Sequence, residues 1–418
     1  MQAAGAVNKK LAAPGAVCPI LPAMRSCFLS FSFALLAASP AFAQGGKRVG
    51  EVVIDLEANA TTIQVRGSSP ELTNLARVAF GAHGGYRLVA SGATYDLDFS
   101  PVGPAQVRVE IARGATGAPV YSEVVTGSNA RQALLRAADV AVAHTSKLRG
   151  FFSGKIAFVS DRGSGMEIMT SDLWGGEVVG WPGVSRQIIT PRWSPEGRRL
   201  IFTSYRNGFP DIYVLDLATR TPALFVSVQG TNTGGRFSPD GARVAMVLSG
   251  EGTSEIYVSN AQGRMISRLT RSQAVKAGPS WSPDGTRLVF TCEPGPQLYV
   301  MPAAVGAQPQ RLLTNISGYC AEPDWCRWDA NKIAFTMAVG RRYQIGVYDF
   351  ATRQAKQVSN APLDAIEPCW LADGRHLLYT ARQANQRSLW ILDTETSKTT
   401  RISPSALGQV SQASYWVP

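Results

Sequence analysis

Short apolar runs of about six residues, separated by glycine, proline and polar residues, fill the chain from residue 155 onwards. Two kinds of run recur as a pair, for example RLIFTS (199–204) followed by DIYVLDL (211–217). Runs of this length that are rich in β-branched and aromatic residues and bounded by turn residues are typical of β-strands. The pattern therefore predicts many short strands in this part of the chain.

Each pair of runs follows a motif in which an aromatic residue precedes a turn, as in PSWSPDG (279–285). The motif aromatics are spaced by 44, 44, 44, 45 and 45 residues and are Trp193, Phe237, Trp281, Trp325, Trp370 and Tyr415. Together with the motif segment and a shorter last element, each unit holds four strands, which is the pattern of a propeller blade. We predict that the aromatics fill the space between blades and that proline, aspartate and glycine form the turn.

The two ends of the repeat region complement one another. KIAFVSD (155–161), EIMTSDL (167–173) and RQIIT (186–190) are interpreted as the second, third and fourth strands of a blade, and residues 413–418 as an isolated first strand. Residues 155–418 span 264 positions, which is six times 44. Joining the ends removes exposed sheet edges. We therefore predict a six-bladed β-propeller closed by the C-terminal strand, with Tyr415 and Trp416 beside Ile156 and Phe158.

Residues 44–150 lack this repeat and predict a small α/β domain. A helix is expected from Ser68-Ser-Pro-Glu71 to about Phe80, with an apolar face made of Leu72, Leu75, Val78 and Ala79. Strands are expected at 86–91, 94–100, 106–112 and 120–126, and a second helix at about 128–148. The predicted fold class is thus α+β multi-domain, with an α/β domain at 44–150 followed by a propeller at 151–418.

The first 43 residues have the features of a cleaved export leader. They contain three basic and no acidic residues, an apolar run at 28–38, and the small-x-small site Ala41-Phe-Ala43. The 11-residue run is shorter than the ~20 residues that a membrane helix needs. We expect cleavage between Ala43 and Gln44 and an exported, soluble mature protein. Either Met1 or Met24 is the start of the uncleaved chain.

Charge does not indicate a nucleic-acid partner. The chain has 41 Lys and Arg against 30 Asp and Glu, and loss of the three leader cations leaves 38 − 30 = +8. This excess is spread without runs of like charge, as on a solvated surface.

We predict no catalytic residue, no metal site and no cofactor. No nucleophile elbow or phosphate loop occurs, and no metal-type spacing links His83, His144 and His376. Four aspartates at equivalent strand ends are interpreted as turn carboxylates: Asp172, Asp216, Asp349 and Asp393. Disulfides between Cys320 and Cys326 or between Cys326 and Cys369, and free thiols throughout, all remain open.

The W-S-P-D-G repeat resembles the blades of the TolB family, the periplasmic component of the Tol–Pal envelope system. LRGFFSGKIAFVSD (148–161) resembles that family's junction between domains, SYWVP (414–418) its closing strand, and GEVVIDL (50–56) its N-terminal segment. Propellers associated with peptidases share the repeat. The order of leader, small domain and six blades is more specific to TolB.

The resemblance implies a monomeric periplasmic adaptor without enzymatic activity. Such a protein binds the lipoprotein Pal through its propeller face and TolA through its N-terminal segment, and supports outer-membrane integrity and constriction at cell division. The TolA contact would comprise Val52, Val53, Ile54 and Asp55. The Pal contact would comprise residues just before the motif aromatics, namely Thr231, Gly234, Lys276, Ala277, Glu322 and Glu367.

Two other classes of function are considered. A propeller module associated with a peptidase would require a hydrolase domain of ~250 residues with a nucleophile elbow. A periplasmic propeller enzyme would require convergent carboxylates or histidines in the channel.

Overall fold

A computed structural model describes residues 60–114, 117–163, 165–181 and 187–417. The expected leader and the expected TolA contact (Val52, Val53, Ile54 and Asp55) lie outside these ranges. None of the helices in the described ranges is long and apolar enough to cross a bilayer.

The first part of the described chain is a five-stranded sheet against which two helices pack. Its elements are β1 (Thr61–Gly67), α1 (Pro70–Ala82), β2 (Tyr86–Leu88), β3 (Tyr95–Gly103), β4 (Gln106–Arg113), β5 (Pro119–Thr126) and α2 (Ala130–Ser146). The strand order is β2-β1-β3-β4-β5. β1 is parallel to β2 and β3, whereas β3, β4 and β5 are antiparallel to their neighbours in sequence.

Local sequence explains where both helices begin. The Ser69 side chain accepts a hydrogen bond from the Leu72 amide, and Asn129 caps α2 in the same way by accepting from the Gln132 amide. Val78 was expected on the buried face of α1 but is 48% exposed. The face that packs against the sheet instead includes Ala76. β1 was not predicted because only Ile63 and Val65 mark its buried side.

The rest of the described chain forms six four-stranded antiparallel sheets. The closing blade takes β6 (Lys155–Asp161), β7 (Met166–Asp172) and β8 (Val179–Trp181) from one end of the repeat region, and β29 (Gln409–Trp416) from the other. The next three blades in chain order are β9 (Ile188–Trp193), β10 (Arg199–Ser204), β11 (Asp211–Asp216), β12 (Thr221–Val226); β13 (Asn232–Phe237), β14 (Arg243–Leu248), β15 (Glu255–Asn260), β16 (Ser267–Arg268); and β17 (Lys276–Trp281), β18 (Arg287–Cys292), β19 (Gln297–Pro302), β20 (Gln310–Arg311). The last two are β21 (Cys320–Trp325), β22 (Lys332–Val339), β23 (Arg342–Asp349), β24 (Gln354–Gln357); and β25 (Asp364–Trp370), β26 (His376–Gln383), β27 (Gln386–Asp393), β28 (Thr399–Arg401).

The C-terminal strand closes the propeller as predicted and places Tyr415 beside Ile156, but the expected position of Trp416 beside Phe158 was wrong. Tyr415 lies opposite Ile156 and Trp416 opposite Lys155 in an antiparallel pairing of β29 with β6. Another prediction for this blade was wrong, because RQIIT (186–190) is not its fourth strand. Ile188 begins β9, the first strand of the next blade, and the fourth strand of the closing blade is the short β8.

The motif aromatics lie between neighbouring blades, and the indoles of Trp193, Trp281 and Trp370 bind the blade before them. The indole of Trp325 instead donates to the Ala330 carbonyl of its own blade at 2.9 Å. The indole N–H of Trp281 donates to the Arg236 carbonyl at 3.0 Å, and that of Trp370 donates to the Asp324 carbonyl at 3.0 Å. In the turn after Trp281, Gly285 has a φ of 67°, which glycine adopts without strain. These contacts are those expected of a repeated scaffold.

The short linker between the α/β sheet and the propeller, which includes residues 151–153, is bound on both sides. The buried carboxylate of Asp139 on α2 accepts hydrogen bonds from the amides of Phe152 and Ser153, at 2.6 and 3.0 Å. The Tyr415 hydroxyl donates to the Phe151 carbonyl at 2.9 Å. The strand that closes the propeller therefore also holds the linker.

Candidate functional site: the propeller channel

The innermost strand of every blade has an irregularity in its pairing three residues before the motif aromatic. The residue there always has a positive φ: Thr190 (54°), Gly234 (68°), Gly278 (57°), Glu322 (54°), Glu367 (57°) and Gln412 (59°). A bulge of this kind re-aims a side chain out of the regular ladder. All six residues line one cavity of about 120 Å³, and we call them the upper ring.

Hydrogen bonds connect part of the upper ring from blade to blade. Glu322 Oε2 accepts from the Glu367 amide at 3.0 Å, and Glu367 Oε2 accepts from the Gln412 amide at 3.0 Å. Gln412 Oε1 in turn accepts from the Thr190 amide at 2.7 Å. Four blades are therefore linked by side-chain acceptors, whereas Gly234 and Gly278 have no side chain with which to continue the series.

Two of these acceptors form a carboxylate pair. Thr336 and Thr380 on the adjacent strands each donate a hydroxyl hydrogen bond of 2.7 Å, to Glu322 and Glu367 respectively. Glu322 is reached by solvent along the channel but is enclosed by protein around it. This enclosure, and then the charge of Glu367, raise the pKa of Glu322 above its ordinary value.

A second set of six residues lies one position before each motif aromatic, towards the motif turns. This lower ring consists of Arg192, Arg236, Ser280, Asp324, Cys369 and Ser414, which line a second cavity of about 130 Å³ together with the motif aromatics. Ser280, Asp324 and Ser414 accept the backbone amide of the next motif aromatic, at 3.0, 2.8 and 3.1 Å. Arginine cannot accept such a bond, so Arg192 and Arg236 depart from the pattern.

The predicted Pal-contact residues are only partly brought together. Gly234, Glu322 and Glu367 belong to the upper ring, and Thr231 and Ala277 are half-buried just before it. Lys276 differs, since its ammonium is buried 3.2 Å from the Glu255 carboxylate and also donates to Ser272 and Ala274. Lys276 therefore faces inwards and offers no charge at the surface.

Sequence analysis missed the other members of both rings. Thr190, Gly278 and Gln412 differ in chemistry, and what they share with the glutamates is a backbone conformation. Counting three positions back from each motif aromatic would nevertheless have found all six members.

The buried histidines form a separate cluster between the α/β sheet and the propeller. His376 Nδ1 lies 2.5 Å from Asp373 Oδ2, and its Nε2 lies 3.4 Å from Asp393 Oδ2. Burial disfavours the imidazolium, but the two carboxylates outweigh it and raise the pKa of His376 to about 9. The ring of His83 lies 4.3 Å from that of His376 and is tilted by 60° to it. His83 accepts the Gly85 amide on Nδ1, and burial lowers its pKa well below the ordinary value.

This cluster contains the one group of possible metal ligands found in the described residues. His83, Asp373 and His376 can each place a ligand atom within 4.8 Å of the others. However, both ring nitrogens of His376 already have partners in the protein: Nδ1 faces Asp373, and Nε2 faces Asp393 and the Gly84 amide. The two carboxylates also favour the imidazolium over the neutral ring that binds a metal. The arrangement suits a charged contact between the two parts of the protein better than a metal ion.

The aspartates and cysteines considered in the sequence analysis have structural explanations. The four aspartates interpreted as turn carboxylates each accept backbone amides of their own turns. The four cysteines of the described ranges are free thiols, and burial raises the pKa of Cys326 and of Cys369 to about 12. Such thiols are not reactive nucleophiles.

Comparison with known proteins gives this fold a family. The family model described as "TolB beta propeller domain" matches residues 144–418. The chain belongs to this family. Two curated relatives are each described as "Tol-Pal system protein TolB". The one from Nitrosomonas europaea is 34% identical over 113 residues, and the one from Bordetella pertussis is 37% identical over 86 residues. These alignments cover 27% and 21% of this chain, and 27% and 20% of the two relatives.

A solved structure has a similar fold over most of the length of both chains. The crystal structure of TolB from Acinetobacter baumannii aligns with a TM-score of 0.76, covering 85% of this chain and 96% of that one, at 22% identity. The α/β sheet and the closed six-bladed propeller are thus an arrangement that also occurs in a solved TolB.

Proposed function

We propose that this protein is a periplasmic adaptor of the Tol–Pal system. In this role it binds the lipoprotein Pal at the upper mouth of the channel and TolA through its N-terminal segment, and it supports outer-membrane integrity and constriction at division. The family match over residues 144–418 carries the proposal. Two relatives named as Tol–Pal proteins and the shared fold of a solved TolB support it.

The proposed Pal contact surrounds the upper ring. Gly234, Glu322 and Glu367 form its floor, and Thr231 and Ala277 its rim. Loops and strand ends that converge on a rigid scaffold are where binding commonly resides. Lys276 contributes indirectly, because its ion pair with Glu255 holds the strand that carries Ala277.

Titration calorimetry with the soluble domain of Pal tests this contact. Thr231→Arg places a long cationic side chain across the proposed contact, where it would hold Pal away from the floor, and it should weaken Pal binding at least about tenfold. Thr219→Arg is the matched control, since Thr219 is exposed in the hairpin between β11 and β12 on the outside of a blade. A wild-type chain that does not bind Pal, or two variants that bind it equally, would contradict the proposal.

The proposed TolA contact comprises Val52, Val53, Ile54 and Asp55, which could add a strand to a partner's sheet edge. Val53→Asp should then abolish capture of TolA by the full chain and leave Pal affinity within about twofold of wild type. Retained capture of TolA by this variant would place the contact elsewhere.

A periplasmic propeller enzyme is the second candidate, because the channel does contain two adjacent carboxylates, one with a raised pKa. Both carboxylates are already acceptors for threonine hydroxyls and for backbone amides of the next blade. Their role in linking blades accounts for their position without catalysis, which favours the adaptor. Hydrolytic or lyase turnover by the pure protein that Glu322→Gln removes would instead favour the enzyme.

A further inference from the structure

The cavity bounded by the lower ring has an excess of cationic side chains. Arg192, Arg236 and Arg327 line it, and Asp324 is the single carboxylate among its lining residues in the described ranges. The upper ring has the opposite character, since it carries Glu322 and Glu367. Because Arg192 and Arg236 also line the upper cavity, cationic and acidic side chains are equal in number there, whereas cations are in excess in the lower cavity.

Both oxygens of the single carboxylate in the lower cavity already have partners in the protein. Asp324 Oδ1 lies 2.8 Å from a guanidinium nitrogen of Arg236, and its Oδ2 accepts the Trp370 amide at 2.8 Å. Within the part of the chain that the structure describes, no carboxylate lies within 4.0 Å of Arg192 or Arg327. Two positive charges therefore remain beyond the Arg236–Asp324 pair. Arg192 carries one of them where the two cavities meet, and Arg327 carries the other at the edge of the lower cavity.

Of these two arginines, Arg192 is the better candidate for binding an anion. One of its five N–H donors binds the Ala413 carbonyl at 3.1 Å, and its side chain lines both the upper and the lower cavity. Burial, and then the neighbouring charge of Arg236, lower the pKa of Arg192, and the more distant carboxylates of Asp324 and Glu367 offset only part of this effect. A guanidinium in this position is costly unless an anion compensates it.

The walls of the lower cavity suit a ligand with a short apolar body. Indole rings of Trp193 and Trp416 lie 5.8 Å apart at their centroids, and prolines of the motif turns complete the rim. Its volume of about 130 Å³ is roughly ten times the ~10–15 Å³ that a cavity needs to hold one water, so a small organic ligand fits. Tryptophan with arginine is also the composition of energetically dominant contact sites.

We propose that the lower cavity is a binding site for a short-chain carboxylate, free or at the tip of an acidic side chain. The Arg192 guanidinium binds the carboxylate, in the fork geometry that makes such pairs strong, and the indoles contact the carbon chain. The ligand enters from the side of the motif turns, because Glu322 and Glu367 repel anions at the upper mouth. This site is separate from the proposed Pal contact and does not depend on it.

Tryptophan fluorescence provides the test, since several tryptophans line the cavity. Glutarate, and separately N-acetylglutamate amide, would be titrated into the mature protein at an ionic strength held constant with sodium chloride. We expect a saturable change with wild type, at least a tenfold higher Kd for Arg192→Gln, and an intermediate Kd for Arg192→Lys, which keeps the charge without the fork. Binding of glutarate alone assigns the site to free carboxylates, and binding of both probes assigns it to acidic side chains as well.

Arg243→Gln is the matched control. Arg243 stacks on the Trp281 ring at 4.7 Å and binds the Gly285 carbonyl, but it does not line the lower cavity. Its variant should bind glutarate within about twofold of wild type. The proposal is overturned if neither probe gives a saturable signal, or if Arg192→Gln binds as tightly as wild type while its thermal unfolding shows that it is folded.

Discussion

The gap in the upper ring at Gly278 leads to a prediction that runs against ordinary expectation for glycine. Thr336 and Thr380 donate to the glutamates of their own blades, and Thr291 is the equivalent threonine in the blade of Gly278. The Thr291 hydroxyl is buried and has no partner among the described residues. A side-chain acceptor at position 278 would meet this hydroxyl, and we therefore predict that Gly278→Gln is tolerated.

The size of the effect follows from the equivalent blades. Gly278 has a φ of 57°, and Gln412 carries the same side chain at 59°. A Cβ at Gly278 would have Pro323 Cδ as its nearest neighbour, at 3.8 Å, so there is room for it. Left-handed backbone costs a non-glycine residue about 1 kcal/mol. New hydrogen bonds to the Thr291 hydroxyl and to the Glu322 amide are worth about 1 kcal/mol each. The net change in the free energy of unfolding should lie between zero and about 1 kcal/mol, on the stabilising side.

Urea unfolding followed by tryptophan fluorescence measures this change. Gly340→Gln is the matched control, because Gly340 has a φ of 59° and open space around its Cβ, but lies in the hairpin between β22 and β23. The control should lose about 1 kcal/mol. If Gly278→Gln lowers the unfolding midpoint as much as Gly340→Gln does, the new side chain forms no stabilising hydrogen bond with the Thr291 hydroxyl, and the reasoning fails.

Two further predictions concern the contact between the α/β sheet and the propeller. The pKa of His376 is about 9 in the folded protein, above its unfolded value near 6.5, so its stabilising effect of at most about 3 kcal/mol is complete below pH 6.5 and is lost as the pH rises through 9. Calorimetry should show a falling unfolding temperature between pH 7 and pH 10 that His376→Gln flattens, and an equally steep fall in the variant would refute this origin. Tyr415→Phe leaves the buried Phe151 carbonyl without its donor and should cost about 1–3 kcal/mol in the free energy of unfolding; an unchanged unfolding temperature would show that water replaces the hydroxyl.

The blade count and the closing strand could be predicted because packing fixes the residue type at the motif position. A large aromatic is needed between every two blades, so its spacing measures the blade directly. The same reasoning placed Tyr415 opposite Ile156, across 259 residues of chain. The error at residues 186–190 has a simple cause. An apolar β-branched run predicts a strand but not the sheet to which the strand belongs, and only the distance to Trp193 shows that Ile188 begins a new blade.

The candidate site was less predictable because it depends on backbone conformation and on partners distant in sequence. Glu322 and Glu367 were found from their positions before the motif aromatics, but nothing in the sequence says that each accepts an amide from the next blade. Lys276 occupies a similar position and was expected at the surface. It turns inwards because Glu255, on a strand of the preceding blade, is buried and requires a cation.

The divergence of the two rings explains how a nearly symmetric scaffold acquires a direction. Motif aromatics recur in every blade because each must fill the same gap, whereas ring residues face the channel and are free to vary. The two glycines that interrupt the upper ring include Gly234, in the blade that carries Arg236, and the short Thr190 lies in the blade that carries Arg192. One half of the channel is therefore open and cationic, and the opposite half is filled and acidic. A partner that enters such a channel meets complementary charge in only one orientation, which six identical blades could not impose.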